Sequence, residues 1–173
     1  MTTESRTEVV SSFYEPVYND GTIGFHRRLD MQGEWQMSEQ NKAIARRVFE
    51  EVWNKGNLDA LDEVYVADVV GHNAPPGQPP GIKGTRQFIG MYLQAFPDTR
   101  MVVEDQVAEG DKVVTRWTAT GTHRGELMGM PPTGKSVRVT GITINRLEGG
   151  KIVEEWGIFD QLGMLQQLGA IPS

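Results

Sequence analysis

A chain of 173 residues, 38% hydrophobic and 23% charged, has room for one ordinary soluble domain with a packed core. A formal charge of -6 and the lack of a Lys/Arg cluster argue against an electrostatic grip on phosphate backbones, so nucleic acid is not an expected partner. There is no cysteine, which excludes disulfides and thiolate metal sites and fits a reducing cytoplasm; no apolar run approaches the roughly 20 residues of a membrane span.

Residues 1–36 hold no helical or strand period for long and read as an extension, with a turn signal at Asn19-Asp20-Gly21. Glu4, Glu8, Glu15 and Asp20 break the basic-then-apolar order of a secretion signal. Phe13, Tyr14, Tyr18, Phe25 and Trp35 are too many aromatics for a solvated tail, so the arm is expected to dock on the body or on a second subunit. Met37-Ser38 reads like the start of a complete domain spanning 37–173.

From Ser38, a potential N-cap, Ile44, Val48 and Val52 recur at helical spacing beside Ala45, Phe49 and Trp53, and Gly56 ends the helix. Leu58 to Tyr65 predicts a short second helix, followed by an extended piece, Val66 to His72, and a proline-rich loop from Asn73 to Gly81. Phe88, Ile89, Tyr92, Leu93 and Phe96 form the apolar stripe of a third helix from about Thr85. After Pro97-Asp98 the period becomes alternating. Four strands are predicted at Arg100–Glu109, Lys112–His123, Ser136–Leu147 and Lys151–Asp160, with hairpin turns at Glu109-Gly110-Asp111 and Glu148-Gly149-Gly150. A last short helix, Gln161 to Leu168, closes at Gly169. Helices followed by a strand meander predict an α+β fold, a curved antiparallel sheet with about three helices on one face and a pocket on its concave side.

Gly129-Met-Pro-Pro-Thr-Gly-Lys-Ser136 matches the phosphate-loop pattern GxxxxGK[ST] letter for letter. That loop works by aiming successive backbone N–H groups at phosphate from the start of a helix, whereas Pro131 and Pro132 have no N–H and the β-branched run after Ser136 is strand-like. The segment is therefore read as a turn between strands.

Several segments together resemble the SnoaL-like polyketide (ester) cyclases of the nuclear-transport-factor-like cone-fold superfamily. They are Ala95-Phe-Pro-Asp98, Gly110-Asp-Lys-Val-Val114, Arg116, Gly121-Thr-His123 with Gly125-Glu126, Pro131-Pro-Thr-Gly-Lys135, Gly150-Lys-Ile-Val-Glu-Glu-Trp156, Asp160 and Gln167-Leu-Gly169. The resemblance spans about residues 38–171. It implies a conical α+β barrel around an apolar cavity, a small-molecule substrate, and a homodimer formed through the convex sheet face. It further implies an intramolecular aldol ring closure driven by a strand-borne aspartate without metal or organic cofactor, with Asp160 at the position that looks equivalent.

On alternating strand geometry Trp156, Ile158 and Asp160 share a face, so Asp160 would end an apolar wall that raises its pKa towards that of a useful base. It is equally placed to cap the helix at Gln161. His123 shares a face with Trp117 and either assists at the cavity mouth or bonds locally. His72 either lines the entrance or belongs to a solvated loop. Arg116 orients a substrate oxyanion if it points inward and is a surface charge if outward. Trp117 and Trp156 are candidate walls, and Asn145 is a polar partner for the acid. His72 and His123 lack the helical HxxxH spacing and a demonstrated third ligand, so no metal is expected. The functions left open are a cofactor-independent cyclase or isomerase, a cone-fold hydrolase or dehydratase using the same carboxylate, and a non-catalytic small-molecule binding module.

Overall fold

The structure is a computed structural model that describes residues 14–19, 22–27 and 31–172. The chain divides into two compact units, residues 1–37 and 38–173. The first contains an antiparallel hairpin of β1 (Tyr14–Asn19) and β2 (Thr22–Arg27), in register from Tyr14 opposite Arg27 to Asn19 opposite Thr22. Strand structure in this stretch was not legible from its period. Of the expected turn, Asp20 and Gly21 lie outside the described residues, as does Phe13. Helix α1 (Met31–Arg47) starts earlier than the Ser38 cap signal suggests. Ser38 is a residue of its interior.

In the second unit α1 runs on through a π-helical segment, Val48–Trp53, which buries Val48, Phe49 and Val52. Asn54 then clamps this segment to the sheet: its Nδ2 donates to the Met101 carbonyl at 2.9 Å and its Oδ1 accepts from Met101 N–H at 2.7 Å. A 3₁₀ turn (Leu58–Ala60) and the single-turn α2 (Leu61–Val64) lead into β3 (Tyr65–Gly71). Helix α3 (Gly81–Ala95) buries Ile89 and Tyr92 of the predicted stripe, and Ala95 beside them. Four long strands follow, β4 (Arg100–Glu109), β5 (Lys112–Thr122), β6 (Ser136–Glu148) and β7 (Lys151–Phe159), and α4 (Gln161–Leu168) closes at Gly169 in the left-handed conformation.

The sheet order is β3-β7-β6-β5-β4. The four predicted strands form the antiparallel meander, while the extended piece after α2 adds a fifth, parallel to β7. Register shifts between Val103 and Asp105, between Arg146 and Leu147, and between Tyr65 and Val70 interrupt the ladders. Such irregularities bend a strand and increase its twist, which curls the sheet around the helices. This is the expected α+β architecture.

Two apolar clusters hold the helices against the sheet. One joins Phe49, Val52, Leu61, Tyr65 and Ile89 to Val113, Leu147 and Ile152. The other joins Tyr92, Ala95 and Phe96 to Leu127, Val139, Met164 and Leu168. Gln167 fixes α4 by bonding both backbone groups of Arg138, accepting from its N–H at 2.8 Å and donating to its carbonyl at 3.0 Å. The loop 124–135 is tied to the end of α3, where Arg124 and Gly125 both donate to the Ala95 carbonyl at 2.9 and 3.0 Å.

The phosphate-loop look-alike lies in this loop and is followed by β6 instead of a helix. Its Thr133 N–H donates to His123 Nδ1 at 3.2 Å and its Gly134 N–H donates to the His123 carbonyl at 2.9 Å. Its backbone groups are engaged in holding the strand ends together.

Candidate active site

Between the two clusters the concave sheet face and the helices enclose a cavity of about 530 Å³. Its wall is chiefly apolar and aromatic, with Phe49, Trp53, Phe88, Phe96, Trp117 and Phe159 prominent. Among the described residues, Glu155 is the only charged side chain in that wall.

Glu155 enters the cavity because β7 presents the parity opposite to the one expected. Its inner face is Glu155, Gly157 and Phe159, and its outer face carries Glu154 and Trp156. Ile158 contributes to the wall but remains 69% exposed. Asn145 stands directly opposite Glu155 on β6, and Tyr65 begins the neighbouring strand β3. Tyr65 Oη donates to Glu155 Oε2 at 2.6 Å, and Asn145 Nδ2 donates to the same oxygen at 3.0 Å. Every described side-chain hydrogen bond to this carboxylate falls on Oε2.

The electrostatics oppose each other. Burial pushes the Glu155 carboxyl above its ordinary value, because the low-dielectric surround penalises the charged form. The bonds from Tyr65 and Asn145 pull in the other direction by stabilising the carboxylate, but desolvation is the larger cause. Tyr65 is itself raised well above 10.0, first by its own burial and then by the adjacent Glu155 charge, which keeps it a proton donor. Trp117 Nε1 donates to Thr143 Oγ1 at 3.0 Å, fixing the indole as a wall. Its ring lies over Gly141 on β6, where a Cβ would collide with it.

The residues singled out from sequence separate into two groups. Trp117 and Asn145 line the cavity. Asp160, His123, His72, Arg116 and Trp156 do not. Asp160 is exposed and is the N-cap of α4, its Oδ1 accepting from Gly163 N–H at 2.8 Å. Of its two possible roles the geometry supplies the cap, and the expected apolar hollow around it is instead around Glu155. His123 is fully buried against Phe96, at 5.3 Å between ring centres, and anchors the loop described above. Arg116 is exposed, in register with Ile142 and Asp105 on the outer face. His72 stacks on Trp156, with ring centres 4.2 Å apart, and contacts Glu154 at 2.8 Å, also outside. Among the described residues no group of three or more His, Cys, Asp or Glu is placed to hold a metal ion.

Replacing Asp160 with Ala is therefore expected to cost about 1 kcal/mol, the usual value of a lost N-cap, while leaving occupation of the cavity unchanged. Chemical denaturation and ligand titration of the same variant check both halves.

Residues 43–168, well over half the chain, match the family model of the SnoaL-like polyketide cyclases. The chain is 29% identical over 119 residues to the nogalonic acid methyl ester cyclase of Streptomyces nogalater, covering 68% of this chain and 89% of that one. Among solved structures it is similar to TsrD from Streptomyces laurentii, with a TM-score of 0.71, 29% identity, and coverage of 77% of this chain and 97% of that one. It is also similar to wild-type IdmH from Streptomyces antibioticus, with a TM-score of 0.66, 37% identity, and coverage of 75% and 99%. A fold built as a curled five-stranded sheet around an aromatic cavity, and a sequence match running through every element that forms it, lead to one assignment: this chain belongs to the SnoaL-like polyketide cyclase family.

Proposed function

We propose that this protein is a cyclase that closes a ring by an intramolecular aldol reaction, with Glu155 as the acid and base in place of the aspartate expected from sequence. The observation that carries the reading is a single carboxylate in the wall of an otherwise uncharged aromatic cavity, held through Oε2 by Tyr65 and Asn145; burial pushes its pKa upward. Membership of the family supports a cyclase-type function on a small molecule.

The reaction follows from these parts. Ionised Glu155 takes the proton from a carbon flanked by carbonyl groups, and the C–H electron pair becomes an enolate. The enolate carbon attacks a second carbonyl of the same molecule, forming the new C–C bond while the C=O π pair moves onto oxygen. Protonated Glu155 then returns the proton to that alkoxide. Substrate and product have the same atoms, so no co-reactant is consumed. A carboxylate at its ordinary pKa is a weak base; one raised by burial removes a carbon-bound proton more readily, and its conjugate acid remains strong enough to protonate an alkoxide. Ketosteroid isomerase, whose aspartate base has a modestly raised pKa, works on the same principle. Tyr65 and Asn145 hold the carboxylate in place through Oε2.

The aromatic wall favours a flat, largely apolar substrate, and nogalonic acid methyl ester is the compound to try first, because a relative is named for cyclising it. Incubated with it in ¹⁸O-enriched water, the protein is expected to yield an isomeric product of unchanged mass, with no ¹⁸O at the newly formed hydroxyl. Incorporation of ¹⁸O into the product would instead select the hydrolase reading.

A further inference from the structure

The reaction proposed above builds negative charge on a substrate oxygen, first in the enolate and then in the alkoxide. Among the described residues no Lys, Arg or His lies in the cavity wall to meet that charge, and Tyr65 and Asn145 are engaged with Glu155. An anion left without a donor in an apolar surround is costly, so a neutral hydrogen-bond donor is needed close to the acid.

The inner face of β6 offers one at Thr143, which is half-buried in the cavity wall two residues before Asn145. A threonine hydroxyl has two acceptor lone pairs and one proton. Trp117 Nε1 occupies one lone pair at 3.0 Å, and no described hydrogen bond uses the proton. The indole that makes this bond lies flat over Gly141, where a Cβ would collide with it. Accepting from a fixed N–H turns the hydroxyl proton away from the indole, and the bond polarises the O–H into a better donor.

The space beside this hydroxyl is open. Thr143 is in register with Gly157 on β7, as Asn145 is with Glu155. Opposed residues have Cα atoms about 5 Å apart, and Gly157 is about 7 Å along the strand from Glu155. Gly157 lines the cavity, and a Cβ on it would meet nothing within 4 Å. Carboxylate to acidic carbon and enolate oxygen to hydroxyl are two contacts of about 3 Å, joined by one carbon–carbon–oxygen link, which together match that spacing.

We infer that Thr143 is a further catalytic residue, whose hydroxyl donates a hydrogen bond to the substrate oxygen that becomes negative as Glu155 removes the proton. Trp117 is then a positioning residue that acts through Thr143. No bond to Thr143 forms or breaks, and its proton stays on the threonine. The identity of the oxygen rests on the cyclase reading, whereas the capacity of the hydroxyl to hold an oxyanion is measurable without turnover.

The test uses 4-nitrophenolate as an aromatic oxyanion and 4-nitrotoluene as its uncharged match. Their dissociation constants are measured by titration at pH 9 on full-chain Glu155→Gln, where no carboxylate repels the anion. The same measurement is made with Thr143→Val, Thr143→Ser or Trp117→Phe added to that chain. Thr143→Val is expected to lower the preference for the anion about tenfold, as loss of one hydrogen bond to a charged group does. Thr143→Ser keeps the hydroxyl and should keep the preference within about twofold, and Trp117→Phe should lower it about threefold. If Thr143→Val does not fold, Thr143→Ala carries the same comparison, since it leaves room for water at the indole N–H. The assignment is overturned if Glu155→Gln does not bind 4-nitrophenolate, if Thr143→Val retains the preference, or if Thr143→Ser loses it equally; a Trp117→Phe chain with the preference unchanged removes the positioning role. Absence of ring closure with nogalonic acid methyl ester would sink the cyclase reading and leave this comparison to stand or fall by itself.

Discussion

Glu155→Gln is expected to abolish turnover while leaving the fold intact. Glutamine has the same shape, and its carbonyl oxygen can accept from Tyr65 and Asn145 as Oε2 does now, so the side-chain cluster survives. What disappears is the capacity to take and return a proton. A positioned general acid/base contributes typically about 10²–10⁴ in rate, so kcat should fall by that factor with KM little changed. The paired control is Asp160→Ala, expected to lose the N-cap stability but to retain kcat, because that carboxylate caps α4 outside the cavity. Should Glu155→Gln keep most of its activity while Asp160→Ala loses it, the proposed mechanism is wrong.

Two pH dependences accompany the same substitution. The base must be ionised to act, so kcat/KM should rise with pH through a midpoint above 4.5, the ordinary value of a glutamate. Stability runs the other way. A folded-state pKa raised above the unfolded one means that, between the two values, the folded protein holds a proton the unfolded chain has released. Folding is therefore favoured by this group at low pH, and that contribution is lost as pH rises from about 4.5 through the folded-state value. Glu155→Gln cannot lose that proton. Its stability relative to the parent should increase with pH over this window, measured as the difference in denaturation midpoints at pH 5 and pH 8.

The second large effect is structural, at Gly125. The loop that leaves β5 turns against the end of α3 so closely that a Cβ on Gly125 would collide with the Gln94 carbonyl oxygen and approach Ala95 Cα at 3.1 Å. These are backbone atoms, which no rotamer change can move aside. Relieving the clash means withdrawing the loop, and this breaks the two bonds from Arg124 and Gly125 to the Ala95 carbonyl. Overpacking costs about 1–3 kcal/mol and each lost bond about 0.5–1.5, so Gly125→Ala is expected to destabilise by about 3 kcal/mol. For a chain of this size that corresponds to a fall of roughly 6–12 °C in Tm. The displaced loop carries Leu127 of the second cluster, so thermal unfolding should also broaden. A Tm within about 2 °C of the parent would show that the loop has room to yield.

The sequence by itself determined most of the element list. Helical spacing at Ile44, Val48 and Val52, the change to alternation after Asp98, and Gly110, Gly149 and Gly150 at the turns are local signals, and local signals survive without a partner. Pro131 and Pro132 were likewise enough to reject a phosphate loop. The hairpin at 14–27 and the parallel pairing of β3 with β7 were not legible, since the first lacks a clean period and the second depends on a strand far along the chain. Trp117 as a wall candidate and Asn145 as a polar partner for an acid both fall on long, regular strands, and both line the cavity.

Which acid faces the cavity was decided only by tertiary structure. Successive strand residues point to opposite faces, so the consecutive pair Glu154-Glu155 guarantees one carboxylate on each side whichever parity holds. The sequence carried that guarantee without saying which of the two is inside. The sheet's curvature, its bulges and the burial of Tyr65 beside β7 select Glu155; the same parity leaves His72, Trp156 and Arg116 outside. Facing is a property of the whole sheet against its helices, fixed by which apolar side chains can be removed from water together, and no single strand contains that information.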